Sequence, residues 1–365
     1  MKAIWYWNDS INPFDTKKES WTEYKNLQNE MIEHAYQQNK SQINLGEYTI
    51  YFKDLIQYNN QNNYKQRPIK RVLIFKAQNS DRDDRFSFHT NKPQTFGVLS
   101  FDSYGEFVTV LRKEEFESFE KLEFNSQLIE KAGQVILQLG NILSIERNDK
   151  KYQVEATYLA NLLFQKQNSS KEQIAKTTIN IYTKESFLYK EINRALREAD
   201  KSRACVSIFA KLMNYSLKHF IDKINYQPYS GLLYRGVNLT DDQKKEYLLT
   251  FKGKHPLQIK HGNISSCYFI WQGYTSASKD RAFVDKNDYN TLFIINVQQP
   301  NHNLVEIEDL SEYPDEKEVL SLPGIRYKIA DIKKNKKNNK LIIYLDQMEQ
   351  YQHFYPIDQK QLLNY

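Results

Sequence analysis

Residues 315–324 read DEKEVLSLPG. Two glutamates, Glu316 and Glu318, bracket one lysine and run into an apolar, strand-like segment that Pro-Gly closes. In an extended chain successive side chains point to opposite faces, so this spacing predicts both carboxylates on one face and Lys317 on the other. Like charges held that close repel unless a cation or proton donor lies between them. An isolated E-x-E is more often a solvated charge cluster at a turn. The rest of the chain decides between these readings.

The chain has 365 residues, enough for two or three domains. Its formal net charge of +6 is mild, and the basic residues are scattered rather than striped, which argues against nucleic acid as the first partner. Two cysteines, Cys205 and Cys267, make neither a zinc cluster nor a RING nor a secreted disulfide framework. No apolar run approaches the roughly 18 residues of a membrane helix. The opening MKAIWYWND lacks the regions of a signal peptide. The expectation is an intracellular, cytoplasmic protein, with a cytoskeletal association left open, and no metal.

Composition divides the chain into four parts: 1–78, dense in Trp and Tyr; 79–174; 175–348; and a tail, 349–365. The run AQNSDRDDRFSFHTNKPQ reads as a linker or long loop. Beyond it, FGVLSF and FVTVL are strand-like, and Ser126 to Leu143 carries a helical pattern. QKQNSSKEQ marks the next boundary. Amphipathic helices follow near 184–198 and 204–222, with Phe187, Ile192 and Leu196 at three-to-four spacing. The strand candidates LLYRGV, FIWQGYTSAS, TLFIINV, VEIED, EVLSL, YKIADIKK and KLIIYL come after them. Helices first and strands later predict an α+β class. GxGxxG and GxxxxGK are absent from the sequence, so a dinucleotide would bind without a Rossmann fingerprint or a P-loop.

Three stretches carry chemistry. In GLLYRGV (231–237) an apolar strand delivers Arg235 and Gly236. A guanidinium fork suits bidentate recognition of phosphate or carboxylate, and a glycine lets a ligand approach the backbone. In GYTSASKD (273–280) Ser276 and Ser278 share a face. The third stretch is EKEVLSLPG. Each alone is ordinary strand-end usage. In this order, Arg, then Tyr-Thr-Ser-x-Ser, then Glu-x-Glu-Val-Leu, they resemble the Arg-Ser-Glu class of ADP-ribosyltransferases, over about residues 175–346.

That resemblance implies a mixed α/β domain whose two sheets form an NAD cleft, and cleavage of the bond between nicotinamide and ribose. It implies that Arg235 holds the phosphate and ribose region, that the Gly236 backbone meets the nicotinamide amide, and that Ser276 orients NAD and the catalytic glutamate. Glu318 would bond the ribose 2′-hydroxyl and stabilise the oxocarbenium ion, and Glu316 would engage the acceptor. Phe283 is the candidate to cover the nicotinamide. Ala277 departs from the family's Ser-Thr-Ser pattern. Physical chemistry agrees: a fixed carboxylate stabilises a ribosyl cation, and a second one aligns a guanidinium and draws off its proton.

At the N-terminus, IWYWND, ESWTEYKNLQNEMIEHAY, GEYTIYFKDLIQYNN and QRPIKR together resemble the WWE domain, over about residues 3–73, with Trp5, Trp21 and Tyr24 as structural aromatics. The fold implied is a half-barrel sheet with one helix. Many WWE domains bind ADP-ribose or the iso-ADP-ribose unit of poly(ADP-ribose). By that resemblance Trp7, Tyr48, Gln57 and Arg67 fall on ligand positions, the aromatics stacking on adenine and Arg67 pairing with phosphate.

The combined expectation is a mono-ADP-ribosyltransferase, using NAD or NADP, that modifies arginine on an acceptor protein and carries an ADP-ribose-binding module. Two rivals are a non-catalytic scaffold using both domains for binding, and an NAD glycohydrolase in which water replaces the guanidinium.

Overall fold

The computed structural model describes residues 2–15, 17–74, 123–198, 200–203, 205–221, 228–254, 268–335 and 338–348. The strand-like runs FGVLSF and FVTVL, the linker before them and the tail from 349 lie outside these residues.

The N-terminal sheet follows the order β2-β1-β6-β5-β4-β3. Its strands are β1 (Lys2–Asn8), β2 (Trp21–Glu23), β3 (Gln42–Asn44), β4 (Tyr48–Tyr51), β5 (Ile56–Asn59) and β6 (Asn62–Ile74). The long β6 serves two partners: Arg67 and Pro68 pair with β5, and from Ile69 onward the strand pairs with β1. Pro68, with no N–H to give to a ladder, sits at that change of partner. The helix α1 (Asn26–Gln37) closes one face of the sheet. Trp5 is fully buried beneath it, and its indole N–H donates to Glu33 at 2.8 Å. The buried Asn29 side chain accepts from the Trp5 N–H at 2.6 Å and donates to the Ala3 carbonyl at 3.0 Å, so α1 is tied to β1 by hydrogen bonds as well as packing.

A helical layer follows: α2 (Ser126–Glu146), α3 (Lys151–Phe164), α4 (Lys171–Thr183), α5 (Phe187–Glu198) and α6 (Val206–Ile221). The helical pattern at 126–143 and both predicted amphipathic helices are present. α2 and α3 approach closely because Gly140 faces Ala156; a Cβ there would lie 2.3 Å from the Ala156 methyl. The polar run QKQNSSKEQ ends in a helix start, where Ser170 caps α4 by accepting from the Gln173 N–H. The boundary that composition suggests at 174/175 falls inside α4, and α2 and α3 share one contiguous core with α4–α6 and with Trp5, Leu27 and Met31 of the N-terminal unit.

The remaining strands are β7 (Tyr229–Val237), β8 (Tyr268–Trp271), β9 (Thr275–Ser278), β10 (Thr291–Asn301), β11 (Leu304–Glu306), β12 (Glu318–Ser321), β13 (Ile325–Lys334) and β14 (Leu341–Gln347). They follow the order β11-β12-β9-β7-β10-β14-β13-β8, mostly antiparallel, with β10 and β14 parallel. The junction between β7 and β9 is a single pair, Tyr234 opposite Ser278. The eight strands therefore behave as a three-stranded and a five-stranded unit hinged at one point, the two-sheet arrangement expected. FIWQGYTSAS, read as one strand, is two: β8 pairs with β13 at one end of the order, and β9 pairs with β12 on the other side of the hinge. Gln272, Gly273 and Tyr274 carry the chain between them. A further helix, α7 (Asp241–Phe251), packs on the five-stranded unit and begins with a Thr240/Gln243 capping box.

Candidate active site

The hinge between the two strand units is where the predicted residues gather. Arg235 lies on β7, buried, and its Nη1 donates to the Ser276 carbonyl at 2.6 Å. Ser276 and Ser278 lie on β9, opposite Leu320 and Glu318 of β12. Facing residues on neighbouring strands share a side of the sheet, as do residues two apart. Ser276, Ser278 and Glu318 therefore present to one side. Glu318 is 1 % exposed and Glu316 4 % exposed, so neither is the solvated surface charge that an isolated E-x-E would be.

The expectation that Glu316 and Glu318 share an extended strand is corrected by the backbone. Glu316 ends a 3-10 turn (Pro314–Glu316), Lys317 has φ of 46°, and only Glu318 belongs to β12. The left-handed residue breaks the extended alternation between the carboxylates, and both remain buried while Lys317 stays exposed and pairs with Asp280 at 3.3 Å. This turn is held from β9: the Ser278 hydroxyl donates to the Glu316 carbonyl at 2.7 Å, and the Lys279 N–H donates to the Lys317 carbonyl at 3.1 Å. Ser311 Oγ lies 3.5 Å from Glu318 Oε2. Ser278 carries more of the local order than the sequence assigned to it. Its signal was present, since it stands two residues from Ser276 on the same face.

Gly236 has a packing reason as well as the proposed one. A Cβ at this position would lie 2.0 Å from the Tyr289 ring, so only glycine lets that ring pack on β7. Phe283 is half-buried on α8 (Arg281–Asp285), the short helix after β9 that packs against β7.

Arg197, on α5, is a residue the sequence reading used only as part of an amphipathic helix. Burial pushes its guanidinium down to about 10, and burial together with the like charge of Arg197 pushes Arg235 down to about 10 as well. Both stay protonated at neutral pH. The tyrosines whose fields reach Arg235 come from both cores: Tyr247 and Tyr289 from the strand core, Tyr182 from the helical core. Arg235 thus sits at the seam, within reach of the charge of a second guanidinium. Paired cations in a low-dielectric seam suit a diphosphate.

In the N-terminal sheet, Gln57 and Arg67 are direct partners across β5 and β6. Gln57 is buried and accepts from the Tyr24 hydroxyl at 2.5 Å. Arg67 lies over the Trp7 ring, 5.3 Å from its centroid, and its Nη1 donates to the Asn8 and Ser10 carbonyls at 2.8 and 2.9 Å. Burial raises the Tyr48 phenol, and the charge of Arg67 opposes that rise, which puts Tyr48 in the same neighbourhood. Trp7, Tyr48, Gln57 and Arg67 are therefore brought together, with Tyr24 as a fifth member. Arg67 has a structural duty besides, holding the end of β1.

The described residues contain no group of three or more His, Cys, Asp or Glu side chains placed to hold a metal, and no helix long and apolar enough to cross a membrane.

These features set buried Arg235, Ser276, Ser278, Glu316 and Glu318 at the hinge of a mixed sheet, in a chain that opens with a small antiparallel half-barrel. Residues 110–352 match the NAD:arginine ADP-ribosyltransferase family and residues 3–71 match the WWE domain. The chain belongs to the NAD:arginine ADP-ribosyltransferase family and carries an N-terminal WWE domain; it is an NAD-dependent ADP-ribosyltransferase by family. No curated protein matches it. Among solved structures it is similar to the type III effector XopAI of Xanthomonas axonopodis pv. citri, with 16% identity and a TM-score of 0.41, covering 67% of this chain and 97% of that one. It is similar also to the ADP-ribosyltransferase HopU1 of Pseudomonas syringae, with 16% identity and a TM-score of 0.41, covering 61% and 97%. C3stau2 of S. aureus, solved with NAD, gives 22% identity and a TM-score of 0.35 over 54% of this chain and 96% of that one. The assignment rests on the family match.

Proposed function

We propose that this protein transfers a single ADP-ribose from NAD to arginine side chains of an acceptor protein, and that its WWE domain binds ADP-ribose or poly(ADP-ribose). The observation that carries the first part is the burial of both Glu316 and Glu318 on a turn tethered to β9, beside the strand that bears Arg235. Arg235, with Arg197, receives the NAD diphosphate, and Ser276 orients the nucleotide. Gly236 meets the nicotinamide amide through its backbone and Phe283 covers the ring. As the C–N bond to nicotinamide breaks, its electrons leave with nicotinamide and the ribose gains positive charge. The Glu318 carboxylate stabilises that charge most where water is excluded.

The acceptor guanidinium is protonated at any ordinary pH and is a poor nucleophile. Glu316 aligns it and takes the proton released as its nitrogen bonds to the ribose carbon, so the products are ADP-ribosyl-arginine, nicotinamide and one proton. The neighbourhood of Trp7, Tyr48, Gln57 and Arg67 supports the second part. A buried E-x-E is costly to a scaffold, which has no use for two carboxylates out of water.

Incubation with NAD labelled in the adenylate and with agmatine tests the acceptor class. Labelled agmatine is the expected product. Nicotinamide release without labelled agmatine would assign the protein to NAD hydrolysis instead, and neither product would leave the scaffold reading.

A further inference from the structure

The N-terminal domain touches the segment that presents the two glutamates. Between β11 and β12 the chain runs through Ser311, Glu312 and Tyr313 into the 3-10 turn that ends at Glu316. Glu312 is held from the end of α4: its N–H donates to the Thr183 hydroxyl at 3.0 Å, and its carboxylate accepts from Asn180 at 3.2 Å. The same carboxylate accepts from the Lys184 ammonium at 3.0 Å. That ammonium also reaches both oxygens of Glu30, on α1 of the WWE domain, at 2.8 and 2.7 Å. Lys184 is 3 % exposed. The Tyr158 hydroxyl donates to Glu30 at 2.9 Å, and Asn26 at the start of α1 donates to the Tyr313 hydroxyl at 2.9 Å.

A buried ammonium has lost its water and is compensated here by two carboxylates, so each partner removed leaves it less compensated. The contacts are charge-assisted and come from three separate segments, so they define where Glu312 and Tyr313 stand relative to α1 and α4. Three and four residues on stands Glu316, whose carbonyl is pinned from β9. The segment is thus fixed at both ends, once by the strand hinge and once by the WWE domain. An adjoining cavity of about 350 Å³, lined by Glu30, Lys184, Glu312 and Tyr313 among others, runs along this junction.

We propose that Lys184 is a positioning residue for the transfer step: clamped between Glu30 and Glu312, it lets the WWE domain hold segment 311–316 so that Glu316 meets the incoming guanidinium. This rests on the reading of Glu316 as the acceptor-facing carboxylate. It gives the N-terminal domain a part in the chemistry that does not depend on any ligand it binds.

The test uses the full chain and the variants Glu30→Gln, Glu312→Gln and the double variant. Nicotinamide release and labelled agmatine are followed together, and amide hydrogen exchange is read across residues 310–316. The ratio of transfer to hydrolysis is expected to fall about tenfold in each single variant, because a small misplacement of a reacting group can cost up to about 10²-fold in rate. The double variant falls no further, since both changes open one clamp. Hydrolysis stays within about twofold, and the amides of 310–316 lose protection. Tyr313→Phe, which deletes only the hydroxyl that Asn26 reaches, supplies the same comparison should Glu30→Gln not fold. An unchanged ratio in folded single variants overturns the proposal. If the wild type itself modifies no agmatine, the reading of Glu316 fails, and the exchange data then judge the clamp alone: unchanged protection in Glu30→Gln overturns it too.

Discussion

Arg235 donates to the backbone carbonyl of Ser276 at 2.6 Å, and this contact spans the point where the two strand units meet. The guanidinium is at once a hinge pin and the candidate NAD anchor. Arg235→Lys keeps the charge and loses the planar fork, so it is expected to weaken NAD binding at least tenfold, about 1.4 kcal/mol. Titration calorimetry with NAD reads it. An equal dissociation constant in the variant would reduce Arg235 to a strand residue.

Arg197 gives a prediction with two signs. Its like charge disfavours the charged form of Arg235, so Arg197→Gln removes a repulsion from the ligand-free protein and a cation from the ligand site. The variant is expected to melt at the same temperature or higher without NAD, yet to bind NAD several-fold more weakly. A functional site that stores unfavourable charge behaves this way. Lower melting together with unchanged NAD binding would make Arg197 purely structural.

Much of the candidate site was legible because it is built on strands. Alternation placed Ser276 with Ser278, and short apolar runs marked β7 and β12. What was not legible had physical causes. Lys317 adopts a left-handed conformation that no residue type there announces, so the turn between the glutamates read as an extended strand. Arg197 comes close to Arg235 through tertiary packing, which leaves no trace in local spacing. The helix Lys151–Phe164 was missed because Ala, Tyr and Leu around much of its surface blur the stripe. The bond between Lys184 and Glu30 spans 154 positions and lies beyond any local pattern.

The WWE reading is tested on the full chain carrying Arg235→Lys, so that the NAD cleft contributes as little as possible. ADP-ribose or a short poly(ADP-ribose) is the titrant. Arg67→Ala is expected to cost about 2–5 kcal/mol of affinity, the usual loss when a charge-assisted contact is truncated. Because Arg67 also holds the Asn8 and Ser10 carbonyls, a melting curve accompanies the titration. No heat with the intact Arg67 would confine the domain to protein contacts.

Glu33 sets an acid limit on the N-terminal domain. Hydrogen bonds from Arg71, first, and from the Trp5 indole hold its carboxyl down to about 2, against an ordinary value of 4.5. A depressed carboxyl stabilises the fold above its unfolded value, and that stability is lost as pH falls from about 4.5 to about 2. Glu33→Gln is therefore expected to be less stable than wild type by about 1–3 kcal/mol at pH 7, towards the low end because Arg71 is partly open to water. The gap should close as pH approaches 2. Denaturant melts of both proteins at several pH values measure it, and a gap independent of pH would mean that the charge is not the source.

The two glutamates separate by what each can touch. Glu318 is proposed to stabilise the ribosyl cation, through which every outcome of NAD cleavage passes, whichever nucleophile arrives. Glu318→Gln keeps the shape and removes the charge, so transfer to agmatine and plain hydrolysis should both fall by about 10²–10³. Glu316 stands on the far side of the left-handed Lys317 and is proposed to act on the incoming guanidinium alone. Glu316→Ala should abolish transfer and leave hydrolysis largely intact. Its carbonyl is held by Ser278 through the backbone, so truncating the side chain leaves that tether in place and Glu318 where it was. Nicotinamide release and labelled agmatine, followed side by side for the two variants, decide it. Equal loss of both activities in both variants, or efficient arginine modification by Glu316→Ala, would show that the carboxylates do not divide the work in this way.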